Sequence, residues 1–246
     1  MLSLSTSAFF YVFLAAFITG FSKTSIGGMG ILAVLLMALA IPGKASPGVL
    51  LPMLIMADIF AVIYYRRDAK WSILIKILPI TAIGIVLGYF VVDFIPQELF
   101  QKTLGVIILM MLALSLYLEN RKGSIGEKQN PVFTAFVGIS AGVSTMIANA
   151  AGPIFSVYFL QLGLKKENFV GTRSWLFLIL NVFKIPFSAG LGLISLESLK
   201  LDLVFFPAIL IGAFVGYKVL KLINLKLFKW LIRVAVLIAA SRLLLF

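Results

Sequence analysis

The chain has 246 residues, 62% of them hydrophobic and only 12% charged, with a mean hydropathy of +1.13. A soluble domain is nearer half apolar and a quarter charged, so a globule of this length has too little interior for these side chains, and the bilayer must be the solvent for most of them. The formal charge of +12 does not mark a nucleic-acid partner, because the basic residues sit in short clusters between apolar runs rather than along one face. The absence of Cys and His excludes disulfides, thiolate chemistry, imidazole metal sites and histidine proton relays, and no cofactor is expected.

The first stretch, MLSLSTSAFFYVFLAAF, lacks the positive n-region of a signal peptide and runs straight into the next segment, so it is expected to be retained. Residues 7–42 are apolar at both ends but broken by GFSKTSIGGMG at 20–30. Apolar runs follow at 47–65, 71–92 and 99–118, each close to the ~20 helical residues that cross a bilayer. After a polar linker at 121–131, residues 132–163 repeat the broken pattern, with GVSTMIANAAGP at 142–153, and further runs lie at 169–187, 200–218 and 227–245. Each break leaves about 14 apolar residues on either side, half a span at the helical rise. Gly and small polar residues at such depth are viable only where protein or a water-filled cavity surrounds the freed backbone.

The two halves align. Gly20, Ser22 and Gly30 match Gly142, Ser144 and Gly152 at one offset; Gly48 and Asp58 then pair with Gly171 and Asn181; Pro79, Gly84 and Gly88 match Pro207, Gly212 and Gly216. Ordered correspondences across four segments indicate an internal duplication, with a first repeat at 1–120, a linker at 121–131 and a second repeat at 132–246. The loops carrying Arg66, Arg67 and Lys70, then Arg121, Lys122 and Lys128, then Lys165 and Lys166, then Lys218, Lys221 and Lys226 are basic, whereas those at 93–98 and 188–199 carry Asp93, Glu98 and Glu197. With every basic loop in the cytoplasm, the crossings close only if each broken segment enters and leaves on one side. The expected fold is an all-α integral membrane protein of two inverted repeats, each a broken hairpin of half-helices plus three transmembrane helices, with both termini extracytoplasmic. A cytoplasmic position is expected for the linker.

Broken hairpins of inverted repeats typically meet near the midplane and hold substrate there, and their N–H groups and positive dipole ends suit an anion. The candidate substrate-binding residues are Ser22, Lys23, Thr24 and Gly28 in the first break, Ser144, Thr145, Asn149 and Gly152 in the second, and Arg173 beyond it. Lys23 has two readings, direct pairing with an anionic substrate or an ion pair with Asp58. Arg173 either forks onto an oxyanion or snorkels to the inner interface. Asp58 either carries a coupling proton or fixes Lys23, and Asn181 is suited to interhelical hydrogen bonds. Lys184, Lys76 and Arg233 read as interfacial anchors, and the Gly84/Gly88 and Gly212/Gly216 pairs as close-packing motifs. Among function classes, a secondary transporter working by alternating access leads and an anion-selective channel of the same architecture is the alternative. An enzyme lacks the clustered acids, His or Cys that chemistry would need, and no G-x-x-x-x-G-K-[ST] motif is present.

GFSKTSIGGMGILAV (20–34), GVLLPMLIMADIFAVIYYRRDAKW (48–71) and TMIANAAGPIFSVYFLQLGLKKENFVGTRSWLFLILNVFKIPF (145–187) closely resemble the two signatures of the sulfite exporter TauE/SafE family. With the Gly/Pro landmarks near 79–88 and 207–216, the resemblance spans nearly the whole chain. It implies an exporter of a small sulfur-containing or organic anion such as sulfite, a sulfonate or sulfoacetate, in a bacterial inner membrane. The expected partners are that anion and the lipid bilayer, with protons as coupling ion in the reading in which Asp58 carries one. It also marks Ser22–Gly30, Thr145–Gly152 and Gly171–Arg173 as the segments of interest. The oligomeric state is not legible in the sequence.

Overall fold

The structure, a computed structural model, describes residues 5–25, 29–119, 131–164 and 166–219, with Trp230, Val234 and Leu237. Among these the regular structure is helical: α1 Thr6–Thr24, α2 Gly30–Ala40, α3 Ala45–Tyr65 with a 3-10 turn at Arg66–Asp68, α4 Trp71–Phe94, α5 Gln97–Glu119, α6 Pro131–Ala148, α7 Gly152–Gln161, α8 Lys166–Gly190 and α9 Leu196–Val219. Five of these segments are long and apolar enough to cross a membrane: α1, α3 with its turn, α4, α6 and α9. The runs expected at 47–65, 71–92, 99–118, 169–187 and 200–218 are α3, α4, α5, α8 and α9. The run at 227–245 and most of the 121–131 linker lie outside the described residues, as does Gly28.

The two breaks are shorter and later than the sequence predicts. Helix α1 continues through Gly20, Ser22 and Lys23 to Thr24, and α6 through Gly142 and Ser144 to Ala148. The arms are unequal, 19 and 11 residues in the first repeat and 18 and 10 in the second. Small polar residues do not by themselves break these helices: Ser25 Oγ donates back to the Phe21 carbonyl, while Thr24 Oγ1, 3.2 Å from the Gly20 carbonyl, donates across to the Ala213 carbonyl at 2.8 Å. Nor do the glycines, which are there for helix contact. A Cβ on Gly20 would strike the Ile209 carbonyl, and one on Gly212 the Phe17 carbonyl. In the other half, a Cβ on Gly142 would strike the Thr81 carbonyl, and one on Gly84 the Ile139 carbonyl.

These contacts define the architecture. Helix α1 runs parallel to α9, with Phe9 against Phe205 at one end and Phe21 against Gly216 at the other. Helix α6 runs parallel to α4 through the corresponding positions, Gly138 on Ile80 and Val143 on Gly88. Helices α3 and α8 cross antiparallel: Gly48 abuts Leu193, Asp58 meets Asn181 midway, and Gly171 abuts Tyr65 and Asp68. One apolar cluster lies mainly among α1, α2, α3, α5 and α9, the other among α4, α6, α7 and α8. Large side chains such as Ile75, Phe136, Leu203 and Phe214 are exposed on the outside, as lipid contact requires.

Since a methyl at Gly84 meets backbone that cannot yield, Gly84→Ala is expected to lower the stability of the purified protein by about 1–3 kcal/mol. Gly190→Ala, whose Cβ would find only the Tyr89 hydroxyl at 3.8 Å, is expected to be neutral or slightly stabilising. Thermal unfolding of the two variants in one detergent checks both, and equal melting temperatures would refute the close-approach account.

Candidate functional site

Each long arm ends inside the protein, leaving C-terminal carbonyls that no water-filled surface reaches. Helix α8 supplies the donors. Arg173 Nη2 donates to the carbonyls of Ser22, Lys23 and Ser25 at 3.2, 3.3 and 3.2 Å. Lys184 Nζ donates to the Thr145 carbonyl and Thr145 Oγ1, both at 3.1 Å, and to Asn149 Oδ1. Both cations are buried, 4% and 1% exposed, at helix C-termini where the partial charge is negative. Lys184 is therefore not an interfacial anchor. Its amine is buried within the protein because α6 ends opposite it and takes its hydrogen bonds.

Asn149 turns the chain out of α6 with φ 51, a left-handed conformation that Asn adopts more readily than other non-glycine residues. Its side chain binds both ways, Nδ2 donating to the Pro47 carbonyl at 2.9 Å while Oδ1 accepts from Lys184. Between the two breaks, at the α3/α8 crossing, Lys23 Nζ pairs with Asp58 Oδ1 at 2.7 Å, and Asn181 Nδ2 donates to Asp58 Oδ2 at 2.6 Å. The Lys23 ammonium also sits 4.3 Å from the Phe177 ring centroid, which adds a cation–π contact. Of the two sequence readings of Lys23, its ion pair with Asp58 is formed. The same side chain also lines the cavity beside it.

That cavity measures about 50 Å³, room for roughly three or four waters or one compact oxyanion. Ser22, Lys23, Thr145, Asn149, Gly152, Arg173 and Asn181 all line it, together with the first residues of two short arms, Gly30 of α2 and Gly152 and Pro153 of α7. Thr24 points elsewhere, its Oγ1 donating to the Ala213 carbonyl at 2.8 Å to lock α1 onto α9, and Ser144 is buried without lining the cavity. Asp58 reaches the cavity only through Lys23 and Asn181. Ile31, Leu54, Ala150, Ser156 and Phe177 complete the lining and were not singled out by sequence, and Lys184 was read there only as an interfacial anchor. A usable signal existed: Arg173, Phe177, Asn181 and Lys184 follow one another at spacings of 4, 4 and 3, one face of one helix.

Breaking one side of the buried pair strands the other charge, so Asp58→Leu is expected to destabilise the protein by about 3–5 kcal/mol. The double variant Lys23→Met/Asp58→Leu replaces the pair with apolar volume and is expected to recover most of that loss. A double-mutant cycle on thermal stability decides it; strictly additive losses would mean that the pair is not what holds this crossing.

A family model for the sulfite exporter TauE/SafE family matches residues 12–243, nearly the whole chain, while no curated protein and no solved structure matches it. The match covers both breaks, the α3/α8 crossing and the cavity between them. The chain therefore belongs to the sulfite exporter TauE/SafE family and is a multi-pass membrane protein of that family of transporters of sulfite and related anions.

Proposed function

We propose that the protein is a secondary transporter that exports a small oxyanion, sulfite or a compact sulfonate such as sulfoacetate, by alternating access across a bacterial inner membrane. The observation that carries this reading is convergence. The N-termini of α2 and α7 and the ammonium of Lys23 line one small cavity. Among the described residues neither helix start has a neighbour crowding its glycine: Gly152 meets nothing within 4 Å and Gly30 meets Ser22 Oγ at 3.7 Å. Helix N-termini and an ammonium both favour negative charge. The C-terminal carbonyls that would repel an anion are already occupied by Arg173 and Lys184. Of the charged side chains lining the cavity, Lys23 and Arg173 are basic, and Asp58 lies behind Lys23.

In this reading Lys23 is presented by Asp58 and shared with the substrate on arrival. Ser22, Thr145, Asn149 and the free N–H groups supply hydrogen bonds. Arg173 holds the end of α1 in place and reaches the anion from the rim. The inversion of the repeats is supported by the reciprocal packing of α1 on α9 and α6 on α4, and by the antiparallel crossing of α3 and α8. The basic loops support a topology with both termini outside the cytoplasm.

The double variant Lys23→Met/Asp58→Leu separates folding from binding. In purified wild-type protein, sulfite at a hundred times its dissociation constant is expected to stabilise by about 2.7 kcal/mol. The double variant should remain folded but lose that stabilisation at least about tenfold in concentration dependence, a change of ~1.4 kcal/mol. Proteoliposome flux should saturate with sulfite in the wild type. Undiminished binding in the folded double variant would refute the site, and non-saturating current would replace the carrier with an anion channel.

A further inference from the structure

Helix α9 carries a carboxylate that the cavity does not use. Asp202 is 0% exposed, and neither of its oxygens has a hydrogen-bond or ion-pair partner among the described residues. It lies within a helix apolar enough to span the membrane, one turn before Phe205 and Phe206, which pack on α1 and α3. An ionised carboxylate in that position would be deprived of water without compensation, whereas the neutral acid is far less costly to bury.

The duplication sharpens the point. The offset that matches Pro207, Gly212 and Gly216 to Pro79, Gly84 and Gly88 places Leu74 opposite Asp202. Leu74 is likewise 0% exposed and packs in an apolar cluster. The position is thus filled by a hydrocarbon in one repeat, and packing supplies no reason for an acid in the other.

The titratable groups on the elements packed against α9 are engaged elsewhere. Lys23 on α1 is held by Asp58 of α3, Tyr65 donates to the Thr24 carbonyl, and Tyr64 stacks on Tyr217. Lys44, before α3, donates to the Asp93 carbonyl. None of these forms an ion pair or hydrogen bond with Asp202, and neither do Tyr11 of α1 or Glu197, Lys200 and Lys218 of α9 itself.

We propose that Asp202 is a proton-binding site inside the membrane-spanning part of the protein, occupied by a proton in this conformation, and that its uptake and release of that proton accompany transport. The second clause rests on the transporter reading above; the first does not. The ligand is a single proton, bound to one carboxylate oxygen when α9 is packed as here and given up when its first turns meet water.

Two measurements on the full-length protein test it, with Asp202→Leu, which installs the residue of the other repeat, and Asp202→Asn. Infrared spectra of the wild type in lipid at neutral pH should contain a protonated-carboxyl C=O band that both variants lack. Identical spectra for wild type and Asp202→Leu would overturn the proton site. Asp202→Leu should also melt no lower than the wild type, because it removes an unpaired polar group. A marked drop would instead assign Asp202 a structural role.

In proteoliposomes, an imposed pH gradient should change wild-type sulfite flux several-fold and leave flux in Asp202→Leu unchanged, with sulfite binding retained in both. Equal responses would overturn the coupling. A wild type that moves no sulfite would count against the transporter reading, while the infrared comparison would still decide the proton site.

Discussion

Two helices end inside this protein, and the rest of the structure follows from how those ends are satisfied. A helix C-terminus leaves carbonyls without partners, and lipid offers none. Helix α8 meets the requirement twice on one face, with Arg173 at the end of α1 and Lys184 at the end of α6. The two donors are 11 residues apart, roughly 16 Å along the helix, so one rigid element serves the ends of both long arms.

The same arrangement fixes the sign of the cavity. Bare C-terminal carbonyls would present negative partial charge to anything between the breaks. With a guanidinium and an amine on them, that field is cancelled, and the N-termini of α2 and α7 prevail. In the proposed reading, the residues that make the broken helices tolerable in a membrane also leave the space between them open to an anion. Arg173 does both, since it caps α1 and lines the cavity. Asking whether it binds substrate or stabilises the fold sets up a choice that its position does not require.

Much of this was legible in the sequence, and what was not has identifiable causes. The spans, the two breaks, the glycine contacts and the Asp58–Asn181 correspondence came from hydropathy, helix-breaking composition and the internal repeat. The break boundaries were misplaced because Gly20, Ser22, Gly142 and Ser144 look like interruptions one residue at a time. In the structure the glycines serve the contacts of α1 with α9 and of α6 with α4. Lys184 was misread because distance from a helix end was used as a proxy for depth. Its face, shared with Arg173, Phe177 and Asn181, was the better guide.

Aligning the two halves of the sequence also shows where they differ. Lys23 corresponds to Thr145 and Asp58 to Asn181, while the positions matching Arg173 and Lys184 in the first repeat are Leu50 and Ala61, both fully buried. Capping side chains at these positions of both α3 and α8 would double the buried charge, which is costly within a membrane. Concentrating the caps on α8 and the ion pair on α1 and α3 limits the charge to what the carbonyls and Asp58 can neutralise. It also ties the two breaks to one rigid element. In the alternating-access reading proposed above, that shared element would make the two sides of the cavity change together, since α8 bonds to the ends of both long arms.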